Sequence, residues 1–497
     1  MRRPTVIPML CLLALAVLTT AGPRLLAQAA DGTPRFHLTA ERLRARLQAI
    51  QQGLDHMPGE VLVKFQPGSG PQAQARALSV ARGPIPQANQ QWIGDALLVR
   101  ATEEPDAARF AARLEQQPEV VWAHPNYLLD MHAVPNDPLY REQWHFDAIN
   151  MPAAWDINPG GSSDVIVAVI DSGVTERTTS YDFQLWTGPG FGTFAVPFAM
   201  NPDLNASAFL PGRDFVFFTA GSPVLDLVGH GTHVAGTILQ ATNNNSGVAG
   251  IAYQSRLLPL KACTGYWELQ IVLGALGEEG FVPPDYRGGC DLASVAAAIR
   301  YAADQGAKVI NISLGGPNAH EASREALQYA VQRGAFVTIS MGNERESGNP
   351  VSYPAAYAPQ IDGVMAVGAV GRNRQRAFYS NSGAHIEIVA PGGDSRASAG
   401  GFVYQATLDD REFDTYSVIV PRFDRYVIKG QQGTSMAAPH VAGVAALLYS
   451  QGIRSPAAIE AAIKRFAVDL GPAGRDDEYG HGLIDARAAL RGLGVAR

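Results

Sequence analysis

Three residues far apart in the chain carry side chains able to act together on a carbonyl group. They are Asp171 in VIVAVIDSGV, His230 in GHGTHVAGTI and Ser435 in GTSMAAPHVAGVAALL. A serine hydroxyl is a weak nucleophile until a base takes its proton. An imidazole is such a base near neutral pH, and a carboxylate fixes its tautomer and stabilises the imidazolium that forms. Each string sets its residue at the edge of an element. Asp171 closes an apolar run, as at the end of a buried strand. Gly433 and Thr434 precede Ser435 and small residues follow it, which puts the hydroxyl at the start of an apolar helix. The free N–H groups at that end favour negative charge.

The order Asp, His, Ser separates this arrangement from other solutions to the same chemistry. α/β-Hydrolases run Ser, acid, His, and chymotrypsin-type enzymes run His, Asp, Ser. Ser435 also lies outside a G-x-S-x-G turn, because Met436 and Ala437 follow it. That disfavours an esterase on another fold. His230 and His233 share one helical turn, but no H-E-x-x-H string exists, so zinc is not indicated and His233 is expected to pack behind the site.

The three strings resemble the subtilisin-like serine peptidases, the subtilase family, over most of the chain from about Pro135 to about Leu490. The resemblance implies a serine endopeptidase that acts on proteins or peptides through an acyl-enzyme on Ser435, with His230 as base and Asp171 orienting it. It implies that Asn343, in AFVTISMGNE, supplies an oxyanion-hole amide beside the Ser435 N–H, with Ser340 and Met341 where the family usually has small alanines. Ser313, Leu314, Gly315 and Gly316 would form the edge to which an extended substrate pairs. Ser352, in SYPAAYA, would line the far wall of the pocket for the residue before the scissile bond; Glu344 would stand at its rim. It also implies structural calcium after the His230 helix, held by Asp137, Asp203 and the Asn244 side chain with carbonyls of Ala241, Ser246 and Val248. No organic cofactor is expected.

Those residues need a scaffold. The runs VIVAVI, AKVINIS, AFVTIS, VMAVGAV and IEIVAPG read as buried strands. Helical patterns alternate with them around 233–241, 293–304, 321–332, 435–450 and 457–466. The expectation is an α/β fold, a mostly parallel sheet with helices on both faces and the chemistry at its carboxyl edge. Stretches 264–289 and 393–430 are longer than a minimal member needs, and are expected as loops flanking the cleft. Upstream, EVLVKF, ALLVRA, PDAARFAARLEQQ and EVVWAHPNYLL alternate as strand, strand, helix and strand. This small α+β region, 58–133, resembles an inhibitory propeptide that acts as intramolecular chaperone and inhibitor. Residues 30–57 read as a helical linker, 134–497 as the catalytic domain, and self-cleavage is expected near Met131–Pro135.

Composition narrows the setting. The chain has 497 residues, 46% of them hydrophobic and 17% charged, enough for a large core. Its net charge of -7 offers no broad basic surface for nucleic acid. Residues 1–29 read as a signal peptide: Arg2 and Arg3, an apolar run from Val6 to Val17, and the cleavage-site residues Ala27-Gln28-Ala29. No later stretch is long and apolar enough to span a bilayer. A secreted or extracytoplasmic monomer without membrane insertion is expected. Removing the signal peptide removes Cys11 and leaves Cys263 and Cys290, read as one disulfide, with two buried thiols as the alternative.

Overall fold

The computed structural model describes residues 40–492, apart from 53, 105, 129–133, 188–189, 217–222, 279–281, 284–285, 287 and 414–419. The signal-peptide segment and positions 131–133 of the expected cleavage region lie outside the described residues. The chain divides into two units, Met1–Asp130 and Met131–Arg497.

In the first unit, α1 (Ala40–Gln52) is followed by β1 (His56–Phe65), α2 (Pro71–Leu78), β2 (Gln90–Ile93), β3 (Ala96–Arg100), α3 (Ala107–Glu115) and β4 (Val120–Tyr127). The strands lie in the order β2-β3-β1-β4, with β1 antiparallel to both neighbours. Alternation along β1 turns Val61, Val63 and Phe65 inward onto Phe110, Ala111 and Leu114 of α3. Asp106 caps α3 by accepting the Arg109 N–H at 3.0 Å. Two details correct the sequence reading. β1 begins at His56, inside the stretch taken as linker, and α2 and β2 were not foreseen.

The second unit opens with α4 (Trp144–Ala148) and α5 (Met151–Trp155). β5 (Ile166–Asp171) leads into a hairpin, β6 (Thr179–Trp186) and β7 (Phe191–Phe198), then β8 (Arg213–Asp214), α6 (His230–Leu239) and β9 (Arg256–Lys261). β10 (Cys263–Thr264), α7 (Tyr266–Leu276) and β11 (Gly289–Cys290) form the next excursion. α8 (Leu292–Asp304), β12 (Val309–Ile312), α9 (Glu321–Gln332), β13 (Phe336–Ser340), β14 (Val364–Val370) and β15 (Ile388–Pro391) follow. A second hairpin, β16 (Val403–Leu408) and β17 (Tyr426–Gln431), precedes α10 (Thr434–Ser450), α11 (Pro456–Arg465) and α12 (Ala486–Arg491).

Among the described residues, seven strands make a parallel sheet in the order β15-β14-β13-β12-β5-β9-β8. α6 packs on α10 and α8 packs on α9, and each pair also packs on the sheet. The strands are therefore buried on both faces, which is why every residue of β12, β13 and β14 is buried and largely apolar, without alternation. Since the strands are parallel, the ends of β5, β12 and β13 share one edge.

The described residues of the two long stretches carry regular elements. Stretch 264–289 contains α7, and 393–430 contains the β16–β17 hairpin. Together with the β6–β7 hairpin they bury a separate apolar cluster that includes Leu185, Phe198, Trp267, Leu408 and Phe423. The Trp267 indole N–H donates to the Phe413 carbonyl at 2.7 Å, joining the two stretches.

Candidate active site

Asp171 is the last residue of β5, and its side chain is 3% exposed. His230 is the first residue of α6, with a third of its side chain in solvent (33%). The His230 Nδ1–H donates to Asp171 Oδ1 at 2.7 Å. Asp171 also accepts the Ser172 N–H at 2.7 Å, so its carboxylate is fixed from its own side of the loop. Gly173 makes this loop possible. Its φ is +110°, and a Cβ there would come within 2.7 Å of the Leu225 carbonyl oxygen.

Burial opposes a charge on His230, but the Asp171 carboxylate, by its charge and its hydrogen bond, outweighs that opposition, and Asp226 adds to it. The ring is held above its ordinary pKa. With Nδ1 committed to Asp171, Nε2 is the nitrogen left to take a proton.

Ser435 stands in the first turn of α10, directly after Gly433 and Thr434. Its hydroxyl donates to the Ser313 carbonyl at 3.1 Å, and the Ser313 hydroxyl donates to the Ser435 carbonyl at 2.9 Å. No hydrogen bond joins Ser435 to His230 in this structure, and such bonds are often long until substrate is bound.

Asn343 follows β13 in the same edge of the sheet. Its Oδ1 accepts the Thr434 N–H at 2.9 Å and the Thr434 hydroxyl at 3.0 Å. That fixes the amide orientation and leaves Nδ2 as a free donor. An atom at the position of a Cβ on Gly433 would lie 3.5 Å from Asn343 Nδ2 and 3.6 Å from the Ser435 N. Both nitrogens thus lie close to the same point beside Gly433. Gly342, at φ +100°, turns the chain before Asn343; a Cβ there would meet Asn381 Nδ2 at 2.5 Å. Glu344 accepts the Asn343 N–H at 2.8 Å and an Asn381 amide N–H at 3.1 Å, so it braces this turn. Ser340 and Met341 are both buried.

Ser313, Leu314, Gly315 and Gly316 continue from β12. Gly316 and Tyr353 exchange both backbone hydrogen bonds, at 2.9 and 2.7 Å. This brings Ser352 against the glycines, and a Cβ on Gly315 would lie 2.5 Å from Ser352 Oγ.

The expected calcium ligands also gather in part. Asp137 and Asp203 are both buried. Asp137 accepts the Asn243 N–H at 2.9 Å, and Asp203 accepts the Val248 N–H at 3.0 Å and the Asn244 Nδ2–H at 2.7 Å. Burial raises the Asp203 pKa, and the nearby Asp137 charge pushes the same way. The two carboxylates are at present satisfied by N–H donors, and a divalent cation would have to replace some of these with oxygen ligands. Asn244 now offers its nitrogen to Asp203 and its oxygen to the Ser246 N–H at 2.8 Å, so ligation needs that side chain to turn. Ala241 is tied to the same place by its N–H, which donates to the Asp203 carbonyl at 2.8 Å.

Cys263 and Cys290 form a disulfide. His233 is fully buried, and its Nε2 lies 3.1 Å from the carbonyls of Val403 and Lys429, which ties the second hairpin to α6.

Sequence reasoning missed Asp226. It is wholly buried and accepts donors on both oxygens. Oδ1 takes the Ser172 hydroxyl at 2.9 Å and the N–H groups of Val228 and Gly229 at 3.0 and 2.8 Å. Oδ2 takes the Thr232 N–H at 3.0 Å and its hydroxyl at 2.5 Å. It clamps the start of α6 to the residue after Asp171. The available signal was an acid just ahead of a helix start.

The subtilase family model matches residues 162–482. A thermophilic serine proteinase from Bacillus sp. (strain AK1) is 32% identical over 429 residues, 86% of this chain and 86% of that protein. The halolysin-like extracellular serine protease Nep from Natrialba magadii is 33% identical over 384 residues, 77% of this chain and 57% of its own length. Among solved structures, proteases from Pseudoalteromonas arctica PAMC 21717 show a TM-score of 0.52 at 28% identity, over 72% of this chain and 99% of that one.

Proposed function

The chain belongs to the subtilase family and is a subtilisin-like serine endopeptidase, and on that premise we propose that it is secreted, is made as a self-processing zymogen, and cuts proteins through an acyl-enzyme on Ser435. The observation that supports the assignment of roles is Asp171 holding His230 by Nδ1, with Asn343, its amide oriented by Thr434, bringing Nδ2 near the backbone just ahead of Ser435.

An extended peptide pairs with the backbone of 313–315, the Gly316 N–H and carbonyl being paired with Tyr353 already. Ser435 Oγ leaves its bond to Ser313, gives its proton to His230 Nε2 and attacks the carbonyl carbon. The negative charge that develops on the carbonyl oxygen is met by two N–H donors fixed before the reaction starts. Asp171 stabilises the imidazolium without taking its proton. Collapse breaks the C–N bond, and His230 protonates the leaving amine. Water, deprotonated by the same imidazole, then frees the acyl group from Ser435.

Secretion is supported by the basic and apolar residues at the start of the chain, by the disulfide, and by an extracellular relative. The inhibitory role of the first unit is supported by its α+β composition. The match to the Bacillus proteinase also covers more of the chain than residues 131–497 make up. Bound calcium would neutralise the Asp137 and Asp203 carboxylates, with Asn244 and the carbonyls of Ala241, Ser246 and Val248 completing an oxygen shell. It would tie the segment around Asp137 to the loop after α6.

The test is Ser435→Ala. Turnover should fall about a million-fold, the scale of triad loss known from subtilisin itself. A fluorophosphonate probe should label the native protein and leave the variant untouched, and the variant should accumulate as uncut precursor. A purified variant that matures and cleaves peptides refutes the assignment.

A further inference from the structure

Among the described residues of the segment closed by Cys263 and Cys290, one charged side chain is buried. Glu268, in the first turn of α7, is buried, and its Oε1 lies 2.7 Å from Lys261 Nζ. Lys261 is itself only 2% exposed. An ammonium has three N–H donors and no acceptor. Here all three are used: Glu268 Oε1, the Ser172 carbonyl at 2.7 Å and the Leu225 carbonyl at 3.0 Å.

Those two carbonyls belong to the segments that hold the Asp171–His230 pair. Ser172 directly follows Asp171, and Leu225 directly precedes Asp226, which clamps the first turn of α6. β5 and β9 are in register with Asp171 opposite Lys261, so the ammonium starts from the strand end beside Asp171. The second Glu268 oxygen accepts the Gly265 N–H at 2.8 Å, which fixes the carboxylate in turn.

A buried ion pair is a costly way to fill space, and apolar residues of similar volume often do as well or better for stability. What an apolar pair cannot do is cross-link two backbone carbonyls. We propose that Glu268 is a positioning residue for the Asp171–His230 pair and acts through Lys261. The disulfide-closed segment is on this reading part of the scaffold of the reaction. The inference rests on the catalytic assignment made above.

Charge gives the reading a signature. Asp171 and Asp226 favour a proton on His230, and Lys261 is the buried cation bonded to the carbonyls next to both, neutralised by Glu268. Glu268→Gln keeps an acceptor oxygen and removes the negative charge. The uncompensated ammonium then opposes a proton on His230. The acid limb of the kcat/KM profile should move to lower pH.

Three mature variants are compared with the native enzyme on a short chromogenic peptide: Glu268→Gln, Glu268→Ala and the double Lys261→Met, Glu268→Met. The double variant leaves the Ser172 and Leu225 carbonyls and the Gly265 N–H without these partners, so it should melt lower; assayed at a temperature where it stays folded, it should lose on the order of 10- to 100-fold in kcat with little change in KM, the effect of a small misplacement of reacting groups. A folded double variant that melts lower but keeps native kcat makes the pair merely structural and overturns the proposal. So does an unmoved acid limb in Glu268→Gln. Where a variant fails to mature, histidine-labelled full-length chain carrying Ser435→Ala is titrated by NMR with and without Glu268→Gln. The His230 titration should shift down and its Nδ1–H resonance should move; identical spectra refute the proposal. This arm reads the Asp171–His230 bond whether or not the chain cleaves peptides, so it stays decisive if the catalytic assignment itself fails.

Discussion

Replacing His440 with asparagine should flatten the loss of stability in mild acid. His440 lies inside α10, fully buried, with Nδ1 2.8 Å from the Met436 carbonyl. Nδ1 must therefore carry the proton. Nε2 is then a lone pair, which accepts the Nδ1–H of the equally buried His145 at 2.8 Å. His145 Nε2 is left bare and unpartnered. The neutral pair is served by two protons, and burial opposes a third despite the Tyr404 backbone, which favours one on His145. Burial pushes His440 down to about 4 from its ordinary 6.5, and His145 is lowered as well, by burial first and by its neighbour second. Because the folded-state pKa is depressed, the unfolded chain binds the proton at higher pH than the native chain does. The stability is present above about 6.5 and is lost as pH falls toward about 4. From about pH 7 to about pH 5 the His440 contribution spans roughly 1.5 pKa units, or about 2 kcal/mol. Glu387 works the other way, since burial raises it to about 7 against the pull of Lys464, but it is present in both proteins and cancels in their difference. The assay is urea unfolding of full-length chain carrying Ser435→Ala, with and without His440→Asn, at both pH values. The variant starts lower, having lost a buried hydrogen bond worth about 1–3 kcal/mol. It should then lose about 2 kcal/mol less on acidification. Equal losses in the two proteins refute the argument.

Asn343→Ala should slow the chemical step on the order of 100- to 1000-fold, again a magnitude known from subtilisin, while peptide KM changes little; a native kcat shows that Nδ2 does not meet the oxyanion. Calcium at about 100 times its Kd should stabilise mature, inhibited enzyme by about 2.7 kcal/mol relative to chelator. Equal melting in the two conditions and no metal in elemental analysis remove that site. The double variant Cys263→Ser, Cys290→Ser should lose up to about 3–4 kcal/mol on the chain-entropy account, and unchanged stability shows that the segment is held by its packing alone.

The candidate site was largely legible because each of its parts is local. Asp171 ends a run of apolar residues, and His230 and Ser435 begin helices whose apolar character is plain in the sequence. β9 was not, since RLLPLK carries a charge at each end and a proline within, the pattern least like a central strand. α7 was read as loop because it is apolar on every side and shows no helical stripe. The β6–β7 hairpin did carry a signal that went unused. Tyr181, Phe183 and Leu185 alternate with polar residues on one strand, as Phe194, Val196 and Phe198 do with small residues on the other.

Asp226, Lys261 and Glu268 mark a different limit. Each is a charged residue that a sequence reading assigns to the surface, since such side chains are rarely buried alone. Their burial is tolerable only because donors and acceptors arrive from elsewhere: the Ser172 hydroxyl and carbonyl, the Leu225 carbonyl, and the N–H groups of Val228, Gly229, Thr232 and Gly265. No short window contains that set. The asymmetry of buried polar groups explains why it holds together, because a filled bond contributes little net while an orphaned partner costs far more. Loss of one member leaves others unsatisfied, so the loops after β5 and before α6 cannot drift separately. Apolar packing alone would let them slide by fractions of an ångström. For a hydrogen bond between Asp171 and His230, which sit on different elements, that freedom is the thing a rigid polar network removes.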